Sequence, residues 1–149
     1  MRWLGCWVVR MRILGIDYGS KRIGIAVSDP LGMIAQGIAV IGKGPDFESD
    51  IREIKRIVKK YGGVEEIVVG LPKTMAGEVG DAAKKVLDFV EALKQEFKIN
   101  ITTWDERLTT AEAERTLISA GLSREKRRKI IDKSAAANIL QTYLDRKRK

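Results

Sequence analysis

The 149-residue chain contains no histidine and one cysteine, Cys6. Without histidine there is no Ser-His-Asp or Cys-His catalytic set, and one thiol supplies neither an internal disulfide nor the ligands of a structural zinc site. Proline is scarce, at three residues, and no repeat, low-complexity tract or Pro/Ser-rich linker divides the chain. Long apolar runs are missing as well. Trp3 to Val9 is apolar, but it is closed by Arg10 and Arg12 and lacks a small-residue cleavage site, so it is too short for a bilayer and a poor signal peptide. Any catalysis must rest on carboxylates, lysines, hydroxyls or a hard metal ion. The lone thiol is compatible with a reducing compartment.

With 44% hydrophobic and 32% charged residues, the composition is that of a folded domain. Its length suits one domain that buries roughly two-thirds of its unfolded surface. Met11 opens a segment that reads as a natural first strand. We therefore expect residues 1–10 to be an N-terminal extension, a non-native start or disordered, and 11–149 to be the single domain. The net charge of +8 is uneven: Arg124 to Lys149 carry ten basic and three acidic residues, whereas 13–123 are close to neutral at −2. A basic end suits a polyanion, because each neutralised phosphate releases counterions. Arg127 and Arg128, within the run Arg124 to Lys129, are candidates for backbone contact, the alternative being a solvated helix face. Lys147, Arg148 and Lys149 read as a ragged tail.

Hydrophobic patterning gives the order β-β-β-α-β-α-β-α-α. Strands are expected at Arg12–Asp17, Ile23–Ser28, Ile34–Ile41, Glu66–Gly70 and Ile99–Trp104. A helix from Phe47 ends at Gly62-Gly63, and a second carries Ala83, Val86, Leu87, Val90, Leu93 and Phe97 on one face. A third starts at a capping box of Thr109 and Glu112 and ends near Gly121, and the last begins near Ser123. An antiparallel meander followed by right-handed crossovers makes an α/β fold: a mixed five-stranded sheet with the first strand central and helices on its faces. A ligand is expected outside the C-terminal strand ends, where the order changes direction.

Asp17 stands at that end of the first strand, where a carboxylate is costly unless it meets a cation, a donor or open space. Asp105 and Glu106 close the last strand at the same edge, and only one of them faces Asp17, since adjacent strand residues point to opposite faces. Asp132 shares a helix face with Ala135, Ala136, Ile139, Leu140 and Tyr143, and the small alanines allow close approach to the sheet. Converging carboxylates without histidine or thiolate make a hard site for Mg²⁺ or Mn²⁺. Two such ions about 4 Å apart can activate water and stabilise the leaving oxygen in phosphodiester hydrolysis. Singly, Asp17 could cap a turn, Asp105 and Glu106 could pair with Arg107, and Asp132 could be solvated. In the loops, Gly19 with Ser20, Lys21 and Arg22 could meet a phosphate or form an ordinary hairpin turn. Lys73 and the loop Gly77 to Gly80 precede a helix start, and Arg107 is a further phosphate candidate.

Four segments carry a family pattern: Asp17-Tyr-Gly-Ser-Lys-Arg-Ile-Gly-Ile-Ala-Val-Ser-Asp29, Val69-Gly-Leu-Pro-Lys-Thr-Met-Ala-Gly77, Asp105-Glu-Arg-Leu-Thr-Thr110 and Asp132-Lys-Ser-Ala-Ala-Ala-Asn-Ile-Leu-Gln141. In this order they resemble the YqgF (RuvX) family of pre-16S rRNA nucleases, earlier labelled Holliday junction resolvases. The resemblance covers about Met11 to Leu144 and implies an RNase H-like fold related to RuvC. It also implies an acidic triad of Asp17, Glu106 and Asp132, favouring Glu106 over Asp105. RuvC-type resolvases carry a glutamate on the strand that here ends in Val69-Gly70. At Val69-Gly70 this chain has no acid, which tells against resolvase activity.

The leading expectation is a cytoplasmic, Mg²⁺- or Mn²⁺-dependent endonuclease. It would process the 5′ end of precursor 16S rRNA, with ribosomal precursor particles as partners and no membrane. The alternatives are a Holliday junction resolvase acting on branched DNA and a non-catalytic RNA-binding factor. An actin-like ATPase would need a second domain for which this chain has no residues. High charge with only two asparagines and three glutamines resembles thermophile composition.

Overall fold

The computed structural model describes residues 12–72, 80–105, 121 and 123–147, the stretch 124–134 as helix backbone alone. Three strands, β1 (Arg12–Tyr18), β2 (Arg22–Ser28) and β3 (Ala35–Gly42), form the antiparallel meander. Helix α1 (Phe47–Lys60) leads to β4 (Val64–Leu71), and α2 (Asp81–Glu96) leads to β5 (Asn100–Asp105). Both β4 and β5 are added in parallel, so the sheet order is β3-β2-β1-β4-β5 with β1 in the centre, as expected. The last helix, α3, spans Arg124–Lys147. The helix expected from Thr109 and residues 1–10 lie outside the described residues. Among the described residues no helix is long and apolar enough to cross a membrane.

Strand alternation sorts the core into two layers. Leu14, Ile16 and Tyr18 of β1, with Ile23, Ile25 and Val27 of β2 and Ile67, Val69 and Leu71 of β4, pack under α1 and α2. Ile13, Ala26 and Val68 face the other way and are covered by Ala136, Ile139, Leu140 and Leu144 of α3. Helix α1 starts at Asp46, whose carboxylate accepts from the Ser49 N–H at 2.8 Å, and it buries Ile51, Ile54 and Ile57. In α2 the buried residues are Ala83, Val86, Phe89, Val90 and Leu93. Leu87, expected on that face, is instead 38% exposed. The stripe is centred on Val86, Phe89, Val90 and Leu93, spaced i, i+3, i+4, i+7, and Leu87 falls at its margin. Phe89 takes the space, stacked on Tyr18 at 4.2 Å between centroids and edge-on to Phe47 at 5.8 Å.

Two motif residues hold turns and helices together. Asp29 accepts from the Met33 and Ile34 N–H groups at 2.7 and 2.9 Å, fixing the β2–β3 turn, and these bonds hold its carboxyl below the usual range. Gln141 of α3 accepts from the Ala35 N–H at 2.9 Å and donates to the Met33 carbonyl at 3.0 Å, tying α3 to the same turn.

Glu66 departs from the expected apolar strand. It is buried on the α3 side of β4 and accepts from Thr102 Oγ1 (2.9 Å), Asn100 Nδ2 (3.1 Å), Lys147 Nζ (3.0 Å) and the Tyr143 hydroxyl. Lys147 is therefore not part of a free tail: α3 extends through it, and its ammonium closes the cluster. Burial alone would raise the Glu66 pKa, but the hydrogen bonds from Tyr143, Lys147 and Thr102 outweigh it and the value is lowered. The Tyr143 hydroxyl is pushed up, by burial first and then by its bond to Glu66.

A folded-state value below the unfolded one means that Glu66 stabilises the fold above its unfolded-state pKa and that this contribution fades as pH falls through the folded-state value. Glu66→Ala should cost about 1–3 kcal/mol at neutral pH. It should also flatten the loss of stability on acidification. Urea unfolding of both proteins from pH 7 down to pH 3 checks this; parallel curves of equal stability would contradict it.

Candidate active site at the C-terminal edge of the sheet

β1, β4 and β5 are parallel, so their C-terminal ends share one edge, occupied by Asp17-Tyr18, Leu71 and Asp105. Helix α3 runs against them. Its C-terminal part lies at the opposite edge, where Gln141 meets Ala35 and where Tyr143 and Lys147 meet Glu66 near the start of β4. Its N-terminal half therefore approaches the edge that carries Asp17.

The contact that sets the register is at Gly15. A Cβ built there would lie 2.8 Å from Leu140 Cβ and 3.2 Å from the Ala136 carbonyl oxygen, closer than a side chain permits. Its neighbours in the sheet are Ala26 on β2 and Val68 on β4, also under α3. Glycine and alanine together bring the helix onto β1. From Gly15 to Asp17 is two residues, about 7 Å along the same face of the strand. From Ala136 back to Asp132 is one turn, about 6 Å along the helix in the same direction. Position 132 thus comes level with Asp17.

Asp17 is half-buried on the α3 face. Its cross-strand partner on β2 is Gly24, and on β4 the residue after Val69, the partner of Ile16, is Gly70. The flanking strands thus place backbone, not side chains, beside the carboxylate. On β5, Trp104 turns to α3, donating from its indole Nε1 to Thr142 Oγ1 at 2.9 Å and lying edge-on to Tyr143. Ile101 packs on the other layer, and by the same alternation Asp105 belongs to the α1/α2 face. Asp105 and Asp17 therefore stand on opposite faces.

Of the other expected site residues, Gly19, Ser20 and Lys21 form the β1–β2 turn and Arg22 opens β2. The Gly19 N–H donates to the Arg22 carbonyl at 2.9 Å, and the Lys21 carbonyl accepts from the Lys43 N–H at 3.0 Å. Arg127, Arg128 and Asp132 lie on the α3 backbone, with side chains outside the described residues. Lys73, Glu106 and Arg107 lie outside them altogether. Among the described residues no three histidine, cysteine or acidic side chains gather as a metal cluster. The donor chemistry still suits a hard divalent cation: Asp17 offers carboxylate oxygen, and the glycines beside it leave room. Sequence reading missed Gly15, Gly24 and Gly70 as determinants of this space. Their signal was available in the alternation Gly15-x-Asp17, which puts both residues on one face.

A mixed sheet of this order with helices on both faces is the RNase H-like fold, and solved structures share it. Thermus thermophilus RuvC in complex with a Holliday junction substrate aligns over 93% of this chain and 96% of its own, with a TM-score of 0.55 and 17% identity. The Fowlpox virus resolvase bound to Holliday junction DNA aligns over 93% and 100%, with a TM-score of 0.58 and 14% identity. The family model described as "RuvX: Holliday junction resolvase" matches residues 11–146. The chain belongs to this family. A protein of Clostridium novyi named "Putative pre-16S rRNA nuclease" is 54% identical over 135 residues, 91% of this chain and 98% of that one. Its counterpart of the same name in Desulforamulus reducens is 53% identical over 91% of this chain and 97% of its own.

The role of the Gly15 contact is testable by adding one methyl group. Gly15→Ala should destabilise the protein by about 1–3 kcal/mol, because Leu140 Cβ and the Ala136 carbonyl cannot rotate away. Gly42→Ala, where nothing lies within 4 Å, should stay within about 0.5 kcal/mol of wild type. Equal chemical-denaturation midpoints for the two variants would contradict the close approach.

Proposed function

We propose that the protein is a metal-dependent endonuclease for structured RNA, processing the 5′ end of precursor 16S rRNA. Asp17, Glu106 and Asp132 would hold Mg²⁺ or Mn²⁺. The observation that carries this reading is the shared edge: Asp17 lies between glycines on the α3 face of β1, level with position 132, and β5 ends beside it with Asp105 turned away. That opposite facing leaves Glu106 as the acid of the pair suited to join Asp17. The naming of the relatives as pre-16S rRNA nucleases supports the substrate. It also supports a setting on ribosomal precursor particles in the cytoplasm. The family match, from residue 11, supports 11–149 as the nuclease domain with 1–10 as an extension to it.

A divalent ion bound there supplies a lowered water pKa and charge neutralisation at the phosphate. The chain's own residues do the rest. The three carboxylates anchor the cation, and the Gly24 and Gly70 backbones leave space for a phosphodiester at Asp17. Gly19, Ser20, Lys21 and Arg22 in the first turn, Lys73 and Arg107 in the later loops, and Arg127 and Arg128 on α3 would hold flanking phosphates. Lysine and arginine there act as point charges and forks that fix the strand without reading its sequence.

A resolvase acting on branched DNA is the second reading, favoured by the description of the family model. Against it stands the end of β4 at Val69-Gly70, where the resemblance to RuvC-type enzymes implies a glutamate and this chain has no acid.

Purified protein incubated with precursor 16S rRNA and Mn²⁺ should produce discrete 5′ ends. Asp17→Asn should lower the rate by at least about a hundredfold while far-UV circular dichroism stays unchanged. Equal cleavage in the variant or in chelator would refute the site. Binding without cleavage by wild type would indicate a non-catalytic RNA-binding factor, and cleavage of a four-way DNA junction alone would indicate the resolvase.

A further inference from the structure

On the α1/α2 side of the same edge, a pocket of about 210 Å³ is lined by Tyr18, Gly19, Ser20, Lys43, Asp81, Ala82 and Lys85. It lies around the corner from Asp17, because Tyr18, the next residue of β1, points to the opposite face. The β1–β2 turn forms one wall, and its tightness is enforced: a Cβ on Gly19 would lie 2.7 Å from the Arg22 carbonyl oxygen. Lys43 forms another wall. Its backbone N–H is bonded to the Lys21 carbonyl at 3.0 Å, and its ammonium sits 4.3 Å from the Tyr18 ring centroid. The ring holds this cation at the pocket without neutralising it. Lys85 projects from the second turn of α2. Among the described residues neither ammonium is paired with a carboxylate in an ion pair, and Asp81 is the one acid in the lining.

Two unpaired lysines, a serine hydroxyl and turn backbone suit an anion. The volume falls short of the roughly 300 Å³ at which pockets for drug-sized ligands begin, so a phosphate group fits and a whole nucleotide does not. We propose that this pocket binds a phosphate of the RNA substrate beyond the scissile position, held by Lys43, Lys85 and Ser20. The strand then passes over the C-terminal edge of the sheet from the carboxylates on the α3 face to the lysines on the α1/α2 face. This assignment rests on the reading of the protein as an RNA nuclease and adds the path of the strand.

The test measures binding of a fluorescent precursor-rRNA fragment to the full chain by anisotropy across a salt series. Wild type is compared with Lys43→Gln/Lys85→Gln and with Lys98→Gln, an exposed lysine beyond α2. The double variant should bind about tenfold more weakly, with the slope of log affinity against log salt reduced by about one. In cleavage its KM should rise with kcat retained, and its far-UV spectrum should match wild type. Lys98→Gln should behave as wild type. Wild-type affinity and slope in the double variant, with RNA binding otherwise intact, would overturn the pocket assignment alone. Absence of RNA binding by wild type would overturn it together with the nuclease reading. A loss confined to a four-way DNA junction would overturn the assignment to RNA.

Discussion

The close seating of α3 on β1 at Gly15 is the constraint on which the rest of the arrangement depends. Glycine beneath, with the Ala136 carbonyl and Leu140 Cβ directly above, lets the helix come closer to the strand than any side chain at position 15 would permit. The proposed site needs that proximity, because Asp132 belongs to the helix and Asp17 to the strand. The stabilisation is supplied further along the same helix. Ile139, Leu140 and Leu144 are essentially fully buried against Ile13, Ala26 and Val68. Each such burial contributes about 1.5–3 kcal/mol.

The helix is fastened by polar contacts at the sheet edge opposite Asp17. At the far edge Gln141 bridges to the β2–β3 turn, and Tyr143 and Lys147 close on the buried Glu66. These contacts are directional and fully partnered, so they fix the register that apolar packing alone would leave loose. The opposite layer, built on Phe89, Tyr18 and Phe47, holds the sheet rigid beneath the site. Stability and chemistry thus occupy different parts of the same strands: their middles are apolar, and their C-terminal ends carry the acid and the turn.

Much of this was legible in the sequence because period-two and helical patterns report burial directly. The central place of β1, the meander and the α3 face carrying Ala136, Ile139 and Leu140 all follow from spacing. What was not legible depended on residues distant in sequence. Glu66 looks misplaced in an apolar strand until Tyr143 and Lys147 arrive from 77 and 81 residues away. Leu87 and Phe89 exchanged roles because a helical stripe specifies a face, whereas the aromatic partner on β1 specifies which side chain fills its centre. The choice between Asp105 and Glu106 was open from spacing and resolved only by resemblance. Alternation along β5 turns Trp104 towards α3 and Asp105 away from it, and the Lys43–Lys85 pocket joins residues that no local motif connects.

The central claim is that α3 brings Asp132 to Asp17 to hold one divalent site. Titration of Mn²⁺ into the full-length protein, followed by the electron paramagnetic resonance signal of the free ion, tests it most directly. The account predicts binding by wild type and its loss in both Asp17→Asn and Asp132→Asn, with unfolding cooperativity retained in each. Undiminished Mn²⁺ binding in either variant would contradict it.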